Sequence, residues 1–203
     1  MFIYSIGCSV TYGYGVNKQN SYPSLLKSYF NCDITNSSKC SVGNDWILHT
    51  ALEDLLKLKS NPDLVILQWS GPSRRSHCDV DGSERLVTPY DWTELFPKFE
   101  PMASKHTLHY MFLLQNFLEN NKINYFFFNY MDLDISVKNL SVYSEINWNK
   151  SLLINKEYMI KHKYSIDSIG HPNVKGHYYI ANEILKKMGI NESAYSNILN
   201  NLI

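Results

Sequence analysis

The sequence of 203 residues has no excess of charge of either sign: 19 Lys and Arg balance 19 Asp and Glu, for a formal net charge of zero. Such a chain projects no long-range field toward phosphate backbones or anionic lipid, which argues against nucleic acid as a partner. It is also poor in cysteine. Cys8, Cys32, Cys40 and Cys78 show neither the close pairs of a zinc ribbon nor the density of a disulfide scaffold, and they read as free thiols. Together with the 7 histidines they never fall at metal-ligand spacing, so no metal site is expected. Long hydrophobic runs are missing too, since an apolar segment such as Tyr125 to Tyr130 is far below the ~20 residues that span a bilayer. The start, Met1-Phe2-Ile3-Tyr4-Ser5-Ile6-Gly7, lacks a basic region, a secretory apolar stretch and a small-residue cleavage site. These absences lead to the expectation of a cytoplasmic chain without membrane contact, in which sequons such as Asn36-Ser37-Ser38 carry no weight.

What is present is a globular pattern. Hydrophobic residues make up 44% and charged residues 19%, enough apolar material for a core and too few charges for disorder. The length fits one domain over 1–203, because a single core serves up to ~250 residues. Phe2 to Ile6 is a short apolar run ending at Gly7, the pattern of a buried strand feeding a glycine-bearing loop, Gly7 to Gly15. Ser21-Tyr22-Pro23 starts a helix with Leu25, Leu26 and Tyr29 as its stripe, and Cys32 to Thr35 follows as a strand. Asn44 to Leu58 repeats Ile47, Leu48, Ala51, Leu55 and Leu58 at helical spacing, with Asn44 or Asp45 as cap. Leu64 to Leu67 reads as a central strand covered on both faces. Gly71 to about Pro101 reads as a long functional loop, followed by a helix over about 105–120 and a strand, Tyr125 to Asn129. Residues 131–164 show no clean period. Asn173 precedes a helix that buries Tyr178, Ile180, Ala181, Ile184 and Leu185 and stops at Gly189, before a polar tail with a weak helical pattern. Strands alternating with helices imply a mostly parallel sheet covered on both faces. Ligands in such folds bind at the carboxyl ends of the strands, where Gly7–Gly15 and Ser70–Arg75 fall.

Two distant segments carry chemistry: Ile6-Gly7-Cys8-Ser9-Val10-Thr11-Tyr12-Gly13-Tyr14-Gly15 at the end of the first strand, and Asp167-Ser168-Ile169-Gly170-His171-Pro172-Asn173 before the last helix. A serine hydroxyl is a weak nucleophile until a base takes its proton. An imidazole does this near neutral pH when a carboxylate fixes its tautomer. Ser9, His171 and Asp167 supply those three groups in an order compatible with a triad. The first segment resembles the Gly-Asp-Ser nucleophile motif of SGNH/GDSL hydrolases, and the second resembles that family's Asp-x-x-His-Pro element. The resemblance implies a flavodoxin-like three-layer α/β/α sandwich with a mostly parallel central sheet. It also implies a serine ester hydrolase that works through an acyl-serine intermediate and requires no cofactor. The substrate it implies is a small-molecule carboxylic ester; by analogy, the candidate is an O-acyl or O-acetyl group on a carbohydrate. The family's oxyanion donors are the serine's own N–H, a glycine N–H after the second strand and an asparagine side chain after the third. Ser9 and Gly43 answer to the first two, with Asn44 beside them. The chain departs from the pattern in three places: Cys8 stands for the motif's aspartate, His171 follows Asp167 by four residues where three are usual, and Ser70-Gly71-Pro72-Ser73 stands for Gly-x-Asn-Asp. The third donor is therefore missing as written, and Asn44, Ser70, Ser73 and Arg74 are the candidates for its place. An arginine would suit an anionic substrate or a developing oxyanion.

Plainer readings stand beside these. A serine in a glycine-bearing loop also fits an ordinary turn, and His171 before a proline also fits a helix cap. Cys8 next to Ser9 points into the core if side chains alternate off the strand, and His177 within the last helix reads as a packing or surface residue. Arg74-Arg75 fits a solvated pair. Trp69, Tyr90, Trp92 and Phe96 line an acyl or sugar pocket or simply pack a core. The Gly7–Gly15 loop as a phosphate cradle lacks the lysine and the glycine spacing of nucleotide-binding loops. The main rival to the hydrolase is a weakened or inactive binding or structural protein of the same fold.

Overall fold

The computed structural model describes residues 1–78, 84–87, 96–167 and 170–190, and gives the backbone path alone for 76–78, 84–87 and 96–99. Its strands are β1 (Phe2–Ile6), β2 (Asp33–Asn36), β3 (Leu64–Trp69), an antiparallel pair β4 (Arg75–Cys78) and β5 (Glu84–Val87), and β6 (Tyr125–Asn129). Its α-helices are α1 (Ser9–Tyr12), α2 (Tyr22–Phe30), α3 (Asn44–Lys57), α4 (Phe96–Asn120), α5 (Ser141–Ser144), α6 (Lys156–Lys161) and α7 (Val174–Lys187). The central sheet is all parallel in the order β2-β1-β3-β6.

Period-2 alternation explains how the sheet is covered. Ile3, Leu64, Ile66, Phe126 and Phe128 face α2 and α7, packing with Leu25, Leu26, Ile180 and Ile184. Tyr4, Ile6, Val65, Leu67, Tyr125 and Phe127 face α3 and α4, packing with Ile47, Ala51, Leu108 and Leu114. Slipping β3 by one residue would exchange these two sets between faces that fit them differently, and each misplaced side chain puts about 1.5–3 kcal/mol of burial at risk. The register is fixed for that reason. β2, at the edge, carries Asp33, Thr35 and Asn36 exposed. The three-layer α/β architecture expected from the sequence is therefore present, and the strand order reverses between β1 and β3, where such folds open a crevice at the carboxyl ends.

Several local expectations are corrected. The stretch Gly7–Gly15 is not all loop, because Ser9–Tyr12 forms one helical turn. Gly43, not Asn44 or Asp45, occupies the N-cap of α3; Asn44 is its first helical residue and its side chain is engaged elsewhere. Gly71 to Pro101 contains the β4–β5 pair, and α4 begins at Phe96 with Pro101 inside it. The helical period was hidden there because Pro97 and Pro101 read as breakers. The span 131–164, unassigned from sequence, is a string of short helices, including 3-10 turns at Ile135–Asn139 and Trp148–Lys150. The tail beyond residue 190 lies outside the described residues.

Candidate active site

The site begins where β1 ends. A Cβ on Gly7 would collide with Thr11 Oγ1 and stand 2.7 Å from Gln68 Cβ, so only glycine lets the chain turn directly into α1. Ser9 is the first residue of that turn and is 8% exposed. Gln68 locks the turn from below: its Oε1 accepts from Cys8 N at 2.9 Å, Thr11 N at 3.3 Å and Thr11 Oγ1 at 3.1 Å. Thr11 Oγ1 also meets Tyr22 OH at 2.9 Å, which ties α1 to α2.

Asp167 and His171 arrive on the loop before α7. Ile166 N donates to His171 O (2.8 Å), Gly170 N to Asp167 O (3.2 Å), and the Tyr130 hydroxyl after β6 donates to Gly170 O. Asn173 Oδ1 then accepts from Gly176 N at 3.0 Å, capping α7. The four-residue spacing lets one carboxylate serve twice. Asp167 Oδ1 accepts from His171 N at 3.0 Å, and Oδ2 lies 2.7 Å from His171 Nδ1. On the far side of the ring, His171 Nε2 lies 3.1 Å from Ser9 Oγ, 162 residues away in sequence. Burial pushes the Asp167 carboxyl up, but hydrogen bonds from the His171 ring and backbone, the His171 charge and the Gly170 N–H outweigh it and hold the carboxyl below its usual range. An ionised Asp167 keeps a proton on Nδ1 and turns the Nε2 lone pair toward the serine.

The loops after β2 and β3 close the other side. Gly43 lies so near Arg74 that a Cβ would stand 2.8 Å from the Arg74 carbonyl carbon. Among the described residues, no partner takes up the backbone N–H of Ser9 or of Gly43. Asn44 is fully buried and its amide is spent: Nδ2 donates to Ser70 O (3.1 Å) and Thr107 Oγ1 (3.0 Å), and Oδ1 accepts from Ser70 N (2.7 Å). It clamps the end of β3 and does not point into the cleft. Ser73 Oγ donates to Glu100 Oε2 at 2.7 Å and is likewise drawn away. Arg74 Nη1 donates to Cys8 Sγ at 2.8 Å and to Ser70 Oγ at 3.2 Å, which brings Arg74 and Ser70 to the serine's side.

Trp69 is a core residue on the α3/α4 face and lines no pocket at the site, as its parity with Val65 and Leu67 requires. Tyr90 and Trp92 lie outside the described residues, as does the side chain of Phe96. Sequence reasoning missed Gln68, Thr11 and Tyr14. A lone polar residue at the carboxyl end of the otherwise apolar β3 was the available signal for Gln68. Tyr14 had none, yet its ring lies 4.7 Å from that of His171. His177, 0% exposed, faces away from the cleft toward Tyr22. Among the described residues no cluster of His, Cys, Asp and Glu is placed to hold a metal ion, and no helix is long and apolar enough to cross a membrane.

No family model and no curated protein matches the sequence. Solved structures do match the fold. A protein of the lipolytic G-D-S-L family from Desulfitobacterium hafniense DCB-2 is 15% identical, with 92% of this chain and 98% of that one covered at a TM-score of 0.57. The psychrotrophic esterase EstA from Pseudoalteromonas sp. is 14% identical, with 93% and 96% covered at 0.60. A family two carbohydrate esterase from Clostridium thermocellum, solved with cellohexaose, is 15% identical, with 93% and 64% covered at 0.56. The fold of this chain is similar to those of a G-D-S-L lipolytic protein and of esterases.

Proposed function

We propose that this chain is a divergent SGNH/GDSL hydrolase that cleaves a carboxylic ester through an acyl-serine intermediate. The observation that carries this reading is the hydrogen-bonded run from Ser9 Oγ to His171 Nε2 and from His171 Nδ1 to Asp167 Oδ2. In the proposed reaction Ser9 Oγ attacks the acyl carbon as its proton passes to His171 Nε2. The carbonyl π pair moves onto oxygen, and the N–H groups of Ser9 and Gly43 receive it. Collapse expels the alcohol, which takes the proton from Nε2, and water then releases the acid by the same route. Asp167 keeps the imidazole in the productive tautomer throughout. An O-acyl or O-acetyl group on a carbohydrate is the ester we favour, supported by the carbohydrate esterase among the structures of like fold.

The test is incubation with short-chain nitrophenyl esters and with a serine-directed fluorophosphonate. We expect turnover, together with labelling that Ser9→Ala abolishes and His171→Gln slows by at least about 100-fold. A second reading, a binding protein of the same fold, draws on the loss of the asparagine after β3. It predicts folded wild-type protein that neither turns over ester nor takes the label, and that outcome would end the hydrolase reading.

A further inference from the structure

The two departures of this chain from the hydrolase motifs meet in space. Cys8 stands for the motif's aspartate, is 1% exposed, and its thiol lies 3.7 Å from Ser9 Oγ. Arg74 follows the third strand, where the motif's asparagine is missing, and its Nη1 donates to that same Cys8 Sγ. The residues form one line of donors and acceptors: guanidinium to thiol, thiol to serine, serine to imidazole, imidazole to carboxylate. Nη1 of Arg74 stands no farther from Ser9 Oγ than its contact with Cys8 and the thiol's contact with Ser9 laid end to end.

Two other candidates for the third donor are eliminated by what they already bind: both Asn44 amide hydrogens are taken, and Ser73 is turned to Glu100. Ser70 Oγ accepts from Arg74 without using its own hydroxyl hydrogen, but the residue is only 3% exposed and its hydroxyl carries no charge to set against an oxyanion. Arg74 is half-buried, packs its carbonyl against Gly43 and has no carboxylate partner among the described residues. A guanidinium carries five donors, of which Cys8 and Ser70 engage only one nitrogen. An aspartate at position 8 would pair with this guanidinium and cancel its charge. A thiol fixes the group through a weak acceptor and leaves the charge available.

Resting on the esterase reading, we infer that Arg74 is the third oxyanion donor of this site and that Cys8 holds it in place. When Ser9 Oγ bonds to the acyl carbon and its proton moves to His171 Nε2, the carbonyl pair shifts to oxygen, and an Arg74 N–H donates to that oxygen beside the amides of Ser9 and Gly43. When the intermediate collapses the pair returns to the C–O bond, the alkoxide leaves with the proton from Nε2, and Arg74 is unchanged. A guanidinium N–H donates to the oxyanion as an asparagine amide would, and adds a positive charge opposite the developing negative one, so it can take the place of the lost amide.

The experiment compares wild type, Arg74→Ala, Arg74→Lys, Cys8→Ala and the Cys8→Ala/Arg74→Ala double variant on a neutral nitrophenyl ester and on one with a carboxylate in its acyl chain. We expect Arg74→Ala to lower kcat about 100-fold or more on both esters with KM nearly unchanged. Arg74→Lys, which keeps charge and stem and also serves if the alanine variant does not fold, should recover part of that loss, as should added guanidinium with Arg74→Ala. Cys8→Ala should lose less, and the double variant should be no slower than Arg74→Ala alone, because both changes remove one unit. Wild-type kcat in Arg74→Ala on the neutral ester, or a loss confined to the carboxylate ester or to KM, overturns the inference while leaving the esterase reading intact. A folded wild-type protein inert to both esters and to fluorophosphonate overturns both.

Discussion

Acidification should remove about 3 kcal/mol of stability through one buried side chain. His177 on α7 is fully buried, its Nδ1 accepts from Tyr22 N at 3.2 Å, and its Nε2 has no partner among the described residues. Burial pushes the imidazole from 6.5 down to about 4. The folded protein therefore keeps His177 neutral in a range where the unfolded chain takes up a proton. Stability rises with pH wherever the unfolded state binds more protons, here by about 1.4 kcal/mol per pH unit between 4 and 6.5. The contribution is fully present above pH 6.5, is lost as pH falls to about 4, and changes no further below that. Asp167 acts in a lower window, because its depressed carboxyl contributes stability above its unfolded value of 3.8 that is lost on further acidification. Urea unfolding at about pH 7.5, 6.5, 5.5 and 4.5 separates the effects when wild type is compared with His177→Gln, which keeps an acceptor for Tyr22 N and cannot titrate. The wild-type curve should fall below the variant's by about 3 kcal/mol across that range once the two are matched at neutral pH. Parallel curves would refute the reasoning, since the exposed histidines are common to both proteins.

Two further perturbations bear on the site. Asp167→Asn retains an oxygen for His171 N but sets an amide beside Nδ1. That favours the tautomer with the proton on Nε2, so we expect kcat on a nitrophenyl ester to fall roughly 10³–10⁴-fold with little change in thermal stability. Gln68→Leu strips the shared acceptor from Cys8 N, Thr11 N and Thr11 Oγ1, and leaving buried donors unsatisfied costs about 1–3 kcal/mol. For a chain of this size that lowers Tm by several degrees, at roughly 2–4 °C per kcal/mol. Calorimetry and the kcat of the same preparation check it, and kcat should fall with Tm because the turn carrying Ser9 loses its support.

The parts of this molecule that were legible in the sequence are those set by local pattern. Continuous apolar runs marked β1, β3 and β6, and the stripe of Tyr178, Ile180, Ala181, Ile184 and Leu185 marked α7, because periodicity reports which face must be buried. Cooperative features were hidden. The start of α4 contains two prolines that read as loop, and the 131–164 span has helices too short to establish a period. At the site, Ser9, His171 and Asp167 were visible as residue types with familiar spacing. The spent state of Asn44 and Ser73 was not, because nothing in a sequence says which partner a polar side chain finds across the fold. Gln68 shows the same limit from the other side: a polar residue in a buried strand announces that it has partners without naming them.

The polar residues around the crevice divide by what their hydrogen bonds accomplish. Gln68 and Asn44 are buried and bonded to backbone groups that would otherwise be orphaned, and Thr11 is buried and bonded to the Gln68 and Tyr22 side chains, so their cost and benefit are structural. The Ser9–His171–Asp167 run is different in kind. Exposure rises along it, from 8% at Ser9 to side-chain values of 15% at His171 and 31% at Asp167, and a partly solvated ion pair adds only about 0–1 kcal/mol. The loop that carries it is already pinned by Tyr130, by the Ile166–His171 backbone bond and by the Asn173 cap. Stability therefore gives little reason for an imidazole to sit between a carboxylate and a serine hydroxyl at the carboxyl edge of a parallel sheet. The proposed proton transfer would supply one, because it needs this order of groups and this orientation of the ring.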